Sequence, residues 1–332
     1  MLKNFYYNCN KLGSLKYLEY KESNRVYLKK NFVRIQVHAI GLNYVDILMI
    51  KGRYQHKKNA PFIPGIEASG IIIDQNCNNK DLLNKKVIVH QKEGCFSEEM
   101  DVILENIILI PKKIDCALAA GSYIATLTNY IALIEIGRLK KNDNILISGA
   151  SGGLGVAAIK MAKSIGSKVI SVVSNNRKKK FVKRVGSDKT LLIDSKDLNN
   201  ISDHKATYKV DVILDITGLI KTKKILSFFE FGGKYIILGF MHNNFFKIPT
   251  NYILIKGLKI FGIRAGEYLK NSNKKKNIIR NIINIMKKDS IKEEYYRLHP
   301  FKDLISVLKK LEDRSSMGKN IVITKYYKKE EL

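Results

Sequence analysis

The chain has little cysteine and few acidic residues, and it has no obvious leader. Its four cysteines, Cys9, Cys77, Cys95 and Cys116, stand far apart without paired spacing, which excludes a zinc knuckle and a disulfide framework. No basic-then-apolar segment opens the sequence. No apolar run approaches the roughly 18 residues of a membrane span, so a soluble, cytoplasmic protein without membrane contact is expected. The closing Lys329-Glu330-Glu331-Leu332 only loosely echoes a luminal retention signal, and it carries little weight without a leader. Internal repeats are absent, and the most nearly low-complexity segment is the polar Asn76 to Asn79.

The shortage of carboxylates leaves 59 lysines and arginines facing 30 aspartates and glutamates, a formal net charge of +29 over 332 residues. Such a balance ordinarily raises nucleic acid as a partner. Here the lysines are spread along the whole chain, often beside asparagine and isoleucine, and their runs lack interleaved aromatics. That pattern gives salt-sensitive, unspecific attraction to polyanions, and no specific nucleic-acid partner is expected. An apolar content of 45% and this length allow two domains with cores of their own.

What is present is concentrated in Asn144 to Lys163, NILISGASGGLGVAAIKMAK. Ile145-Leu146-Ile147 reads as a buried strand, and Val156 to Ala162 takes the spacing of an amphipathic helix. Between them lie Gly149, Gly152, Gly153 and Gly155. A backbone that bends sharply and approaches a pyrophosphate closely needs residues without a Cβ, with helix N-terminal amides facing the anion. Ala150, Gly152 and Gly155 occupy the three glycine positions of the dinucleotide fingerprint. The rival reading is a tight turn with no ligand.

About twenty residues on, where a dinucleotide fold reads the ribose, Lys168 to Ser174 forms a second strand-like run. Aspartate or glutamate there would favour NADH. The chain instead offers Ser174, Asn175, Asn176, Arg177, Lys178, Lys179 and Lys180. Hydroxyl and ammonium donors suit a 2'-phosphate, so NADPH is the expected cofactor; the alternative is a solvated lysine face on the next helix.

Residues 1 to about 116 read as short strands and Gly/Pro-punctuated loops, with Val33 to Ala39 alternating as a half-buried strand. From Ala117 the pattern becomes α/β. A helix is expected over Ala125 to Glu135, strands at Thr190 to Ile193, Val210 to Leu214 and Tyr235 to Leu238, and helices near Lys178 to Val185 and Lys221 to Phe229. This alternation predicts a doubly wound parallel sheet with ligand at the carboxyl ends of its strands. Asp215 and Gly239-Phe240 end two of those strands and are candidate cofactor contacts or ordinary loop punctuation. An Ile-rich helix over Lys274 to Lys288, a second over Lys302 to Leu311 and a strand at Asn320 to Ile323 close the chain.

Six motifs in order, GLNYVDILMIKGRYQ, PFIPGIEASG, GASGGLGVAAIKMAK, DVILDITG, IPTNYILIKGLKIFGIRAG and MGKNIVI, resemble the zinc-free quinone oxidoreductase branch of the medium-chain dehydrogenase/reductase superfamily across essentially the whole chain. The resemblance implies an α/β protein with a GroES-like β-rich catalytic domain (residues 1–118), a Rossmann NADPH-binding domain (119–260) and a C-terminal return to the catalytic domain (261–332). It also implies a small electrophilic substrate, a quinone or enone, and a homodimer or homotetramer built through the Rossmann sheet edge.

By the same resemblance Asn43 lies by the nicotinamide and Thr128 contacts it. The backbone of Ser151, Gly152, Gly153 and Leu154 holds the pyrophosphate, Ser174 and Lys178 face the 2'-phosphate, and Gly239, Phe240, Ile263 and Arg264 line the nicotinamide pocket. Zinc-bearing relatives put cysteine, histidine and cysteine where this chain has Asn43, Ile66 and Ile124, and the four-cysteine lobe of the structural zinc is missing, so no metal is expected. Ile50 replaces a frequent arginine. Ile193-Asp194-Ser195 replaces a tyrosine that supports the 2'-phosphate.

Without a metal to polarise a carbonyl, the favoured acceptors already lack electrons, and the protein's task is to hold and shield the reacting pair. Asn43 is expected to donate a hydrogen bond to the cofactor amide or to the substrate oxygen, or else to cap a turn, and Tyr54 to line the pocket or supply a proton, or else simply to pack. Glu67 reads as a structural partner, and Cys95 as a small packed residue rather than a redox-sensitive one. Two other functions compete: a 2-enoyl thioester reductase, and a basic nucleic-acid-binding protein on an oxidoreductase scaffold.

Overall fold

The computed structural model describes residues 3–77, 81–193, 209–218, 223–240, 247–289 and 295–329. The chain divides into two compact units, Met1–Ile124 with Ile283–Leu332, and Ala125–Ile282. Both crossings between units fall inside helices.

Strands are numbered along the chain. In the first unit β1 (Lys3–Cys9) and β2 (Leu18–Asn24) form an antiparallel hairpin. A larger sheet contains β3 (Phe32–Gly41), β4 (Glu67–Asn76), β5 (Lys86–His90), β6 (Glu99–Ile103) and β7 (Ile107–Leu109), together with the returning β14 (Tyr296–Pro300) and β15 (Lys319–Ile323). Their order is β14-β15-β3-β4-β5-β7, with β6 on β3. The helix α1 (Tyr44–Ile50) follows β3 directly.

The alternation of Val33 to Ala39 holds as a half-buried strand, with Val33, Ile35, Val37 and Ala39 fully buried and Gln36 and His38 partly exposed, and only Arg34 departs from it by being buried. Arg34 is drawn in because it gives its Nε and Nη2 to the Asp101 carboxylate at 2.7 and 2.9 Å, and a further bond to the Val26 carbonyl. A buried guanidinium is tolerated when it is paired and hydrogen-bonded in this way.

The second unit is a six-stranded parallel sheet of β8 (Asn144–Ser148), β9 (Lys168–Val173), β10 (Lys189–Leu192), β11 (Val210–Asp215), β12 (Phe229–Ile237) and β13 (Lys259–Gly262), in the order β10-β9-β8-β11-β12-β13. Strand order reverses between β8 and β11, the place where such sheets bind ligand outside their carboxyl ends. Ile145, Leu146 and Ile147 are buried on both faces, as a central parallel strand requires.

Several boundaries differ from expectation. The second unit continues to Ile282, past residue 260, because β13 is its sixth strand and the chain stays beside it. The helix expected from Ala125 starts earlier, as α2 (Cys116–Asn129), since the Asp115 Oδ1 accepts the N–H groups of Ala117 and Leu118. It runs on as a π-helical turn, Tyr130–Ile136. The resulting Cys116–Ile136 segment is 21 residues long, with a window of mean hydropathy 1.4, long and apolar enough to cross a membrane. That corrects the expectation that no such run exists; scattered serine and threonine mask it, and 83% of the window is buried within the protein.

Helices α3 (Gly153–Ile165) and α4 (Asn176–Val185) flank β9, and α5 (Thr250–Lys256) precedes β13. The stretch expected as a helix near Lys221 to Phe229 is a 3-10 helix, Lys223–Phe228, running straight into β12. After β13 come α6 (Ala265–Asn271) and α7 (Lys275–Met286), which buries Ile278, Ile282 and Met286 as its spacing predicts. Asp194 and Ser195 lie outside the described residues.

Candidate active site

In the second unit the carboxyl ends of the parallel strands bring most of the expected cofactor residues together. Gly149 leaves β8 at φ +61°, and a Cβ there would stand 2.5 Å from Thr217 Cγ2, so only glycine serves. Gly152 caps α3 with an extended backbone and no side-chain cap. A Cβ at Gly152 would meet no protein atom nearer than 3.7 Å. Packing within the described residues therefore does not require glycine at that position, and the backbone there is open to close approach. The leading amides of α3, at Gly153 and Leu154, remain for an anion. This cradle fits a pyrophosphate.

A buried polar brace holds the cradle. Asp215, 1% exposed at the end of β11, accepts hydrogen bonds from the Ser148 hydroxyl, the Tyr235 hydroxyl and the amides of Thr217 and Gly218. Burial, then the Asp215 charge, raises the Tyr235 pKa and keeps its phenol a donor. Asp215, one of the two strand-end candidates, is thus spent on structure and is not a cofactor contact. The sequence signalled neither Ser148 nor Tyr235 as its partners. Asn129, also missed, donates from Nδ2 to the Leu154 carbonyl at 2.9 Å and to Ala125, tying α2 to the glycine turn one residue from the half-buried Thr128.

Ser174 and Lys178 meet beyond β9: the Lys178 Nζ donates to the Ser174 Oγ at 3.1 Å, and Asn175 caps α4 by accepting the Lys178 N–H. Both side chains are solvent-accessible or partly so, and they present an ammonium and a hydroxyl side by side. Gly239 lies close to the Ile216 carbonyl, and the 44% exposed Phe240 leans on Gly218. Ile263 donates its N–H to the Ile237 carbonyl at 3.0 Å, bringing Ile263-Arg264 to the end of β12. Arg264 is exposed, with Glu267 3.6 Å away.

Asn43 and Tyr54 belong to the first unit. Tyr54 sits in the turn after α1, half-buried against the core of that unit. Asn43 precedes α1 and heads a buried charged cluster. Its Nδ2 donates to the Gly41 carbonyl at 3.0 Å and to Glu67 Oε2 at 3.1 Å, while its Oδ1 accepts from Lys319 Nζ at 2.7 Å. Lys319 also reaches Glu67 Oε2 at 2.9 Å, and Glu67 Oε1 accepts the Ile124 N–H at 2.7 Å. Both amide hydrogens of Asn43 are therefore taken within the protein, and a capping box at the start of α1 sets the Asp46 N–H against its side chain as well. Glu67 is the structural partner the sequence suggested. Lys319 was overlooked, although it stands in the quoted MGKNIVI motif and a lysine opening an apolar strand is itself a signal.

Asp46 accepts the Asn43 backbone N–H at 2.7 Å, and among the described residues its Oδ1 has no hydrogen-bond partner. Burial pushes its carboxyl up to about 7, opposed by the Asn43 amide and the Lys319 charge. Burial likewise raises the thiol of Cys95 and the phenol of Tyr123 and lowers the His90 imidazole. All three are neutral at physiological pH, and Cys95 is fully buried, so it is the inert packed residue expected.

A zinc ion does not fit this cluster. Two of the three positions that hold ligands in zinc-bearing relatives are isoleucines, Ile66 and Ile124, and the acceptors that remain, Asn43 Oδ1 and Glu67 Oε2, already bind the Lys319 ammonium. Among the described residues no group of three or more histidine, cysteine, aspartate or glutamate side chains is placed to hold a metal.

Comparison with known proteins places these features in context. Residues 29–112 match the alcohol dehydrogenase GroES-like domain family and residues 153–284 the zinc-binding dehydrogenase family. The chain is 28% identical over 267 residues to quinone oxidoreductase-like protein 2 homolog of Nematostella vectensis, covering 79% of this chain and 73% of that protein. It is 27% identical over 216 residues to human quinone oxidoreductase, covering 64% and 65%. The Escherichia coli quinone oxidoreductase solved with NADPH superposes with a TM-score of 0.83 at 20% identity, over 96% of this chain and 99% of that one.

Proposed function

The chain belongs to the medium-chain dehydrogenase/reductase superfamily, in its quinone oxidoreductase branch, and on that premise we propose that this oxidoreductase uses NADPH to reduce a quinone or another activated alkene or carbonyl, with no metal taking part. The observation that carries the reading is the Gly152 cradle: an uncapped 13-residue helix beside a backbone position where a Cβ would meet no protein atom nearer than 3.7 Å.

In this reading the amides from Ser151 to Leu154 hold the pyrophosphate, and Ser174 and Lys178 hold the 2'-phosphate. The paired ammonium and hydroxyl support that second assignment, since both donate to phosphate oxygens. Thr128, Gly239, Phe240, Ile263 and Arg264 surround the nicotinamide. When bound, the nicotinamide supplies the hydride. Tyr54 is assigned to the acceptor, lining it or handing it a proton, and Asn43 to the cofactor amide or the substrate oxygen. Electron-poor acceptors suit a protein whose nearest cationic group to Asn43 is an ammonium already paired with a carboxylate, because they need no Lewis acid.

We propose that a second copy of the chain pairs at the edge of the parallel sheet. Among the described residues β13 is an edge strand, and near it in the chain and on β12 Phe231, Leu254, Ile255 and Ile260 are exposed at 80%, 82%, 66% and 37%. Unpaired strand edges with apolar neighbours favour pairing with another strand, so we assign a homodimer to this edge.

Fluorescence titration with NADPH and NADH tests the cofactor. Comparing turnover of a small ortho-quinone with that of a 2-enoyl thioester tests the acceptor. Failure to bind either nicotinamide ends the reading; preference for the thioester replaces the quinone by the runner-up substrate.

A further inference from the structure

Asn129 is fully buried at the last position of α2, where the helix passes into the π-helical turn Tyr130–Ile136. Its Nδ2 donates to two backbone carbonyls at 2.9 Å each: Ala125, four residues back on its own helix, and Leu154, in the first turn of α3. Its Oδ1 is buried, and among the described residues it has no hydrogen-bond partner. A buried orphan acceptor costs free energy, and leucine would fill a similar volume without it. What the carboxamide contributes is therefore its two donated bonds, and only the one to Leu154 joins separate elements.

That bond ends at the cradle. The Gly152 carbonyl accepts the Val156 N–H, which leaves the amides of Gly153, Leu154 and Gly155 without partners inside the helix. The Leu154 carbonyl and the Gly155 N–H belong to one peptide unit, so a further donor on that carbonyl fixes the tilt of the unit and polarises its N–H. The other end of the bridge is held as well: Tyr130, next to Asn129, accepts a hydrogen bond at its hydroxyl from Asn281 Nδ2 at 2.8 Å.

We infer that Asn129 is a positioning residue which, without reaching the cofactor itself, sets the first turn of α3 in the orientation that receives a pyrophosphate. The inference rests on the cofactor reading above. An anion held by several amides at once binds best when they are aligned before it arrives, and misalignment lowers its affinity. The pyrophosphate is common to NADPH and NADH, whereas the 2'-phosphate is assigned to Ser174 and Lys178 beyond β9. Loss of the bridge should therefore weaken both dinucleotides alike.

The test compares wild type with Asn129→Leu and Asn129→Ser. Leucine removes both bonds; a serine hydroxyl can still reach the carbonyl four residues back but is too short for Leu154. Both variants should bind NADPH and NADH about tenfold more weakly in fluorescence titrations, with the NADPH-to-NADH ratio unchanged. Adenosine 2'-phosphate, which carries no pyrophosphate, should bind all three proteins alike in calorimetry. A folded leucine variant with wild-type affinities overturns the inference. So does a serine variant that binds like wild type, which would assign the effect to the helix alone, or a loss shared by adenosine 2'-phosphate, which would mean general loosening.

If circular dichroism shows neither variant folded, asparagine-labelled wild-type protein decides the matter. The Asn129 side-chain amide resonances should shift when either dinucleotide is added and stay in place with adenosine 2'-phosphate; resonances that neither dinucleotide moves overturn the inference. Wild-type protein that binds neither dinucleotide ends the cofactor reading, and this inference with it.

Discussion

Replacing Asp46 by asparagine should change how stability depends on pH, by an amount that follows from the burial of one carboxyl. Asp46 is fully buried, and its pKa rises from 3.8 to about 7; burial is the chief cause, with the Asn43 amide, the Lys319 charge and the Ile66 amide pulling the other way. A raised folded-state pKa means that the folded protein binds this proton more tightly than the unfolded chain does. Below about pH 4 both states are protonated, and the carboxyl costs nothing. Between about pH 4 and 7 the unfolded chain ionises first and stability drains away, and above about pH 7 the loss levels off. A shift of roughly three units corresponds to about 4 kcal/mol. Asparagine does not titrate, and its Oδ1 can still accept the Asn43 N–H. Urea unfolding of wild type and Asp46→Asn, followed by far-ultraviolet circular dichroism at half-unit pH steps, gives the difference between the two curves, in which every other titrating group cancels. That difference should move by about 4 kcal/mol in favour of the variant from pH 4 to pH 8. Curves that stay parallel to within about 1 kcal/mol would refute the argument.

Lys178→Glu should weaken NADPH by about tenfold or more, the loss of a charge-assisted hydrogen bond, and leave NADH nearly unchanged; a variant that binds each cofactor as tightly as the wild type does would move the phosphate site elsewhere. Gly152→Ala should lower stability by no more than about 1 kcal/mol yet weaken both nicotinamides at least about tenfold, whereas Gly149→Ala should cost about 1 to 3 kcal/mol through its left-handed backbone alone, with the 2.5 Å approach to Thr217 adding to it. Thermal melts beside cofactor titrations separate the two. Ile255→Glu should convert a dimer to a monomer in light scattering after size exclusion, and a wild type that is already monomeric would remove the edge-strand assignment.

The parallel sheet was legible because its signals are local. Ile145 to Ile147, the glycines after them and the lysines after Ser174 each announce themselves within a few residues, and the structure sets them at one end of one sheet. Helix α7 was legible for the same reason, its buried Ile278, Ile282 and Met286 recurring at the spacing of one helical face. The cluster around Asn43 was not. Its partners come from Gly41, Glu67, Ile124 and Lys319, and no periodicity links positions 276 residues apart. Arg34 misled in a related way: a charged residue in an alternating strand reads as wet until Asp101, 67 residues on, is known to meet it. Asp215 shows the opposite failure. Its place at a strand end was read correctly, but whether it touches a ligand or four protein donors depends on Ser148 and Tyr235, which only the folded sheet brings near.

The buried cluster also explains why loss of zinc ligands need not leave a hole in such a fold. A carboxylate as deeply buried as Glu67 requires a cation or several donors, since an unpaired buried charge costs several kcal/mol. With isoleucine at positions 66 and 124, a dication would lack the softer ligands that hold it, and Glu67 alone would not compensate. A lysine on the final strand meets the need instead, because one ammonium has three N–H donors and binds Glu67 and Asn43 together. The exchange is not neutral for chemistry. An open metal accepts a substrate oxygen directly, whereas an ammonium already paired with a carboxylate gives a substrate little and can only orient its neighbour. Under the proposed function, the electrophilicity must then come from the acceptor itself.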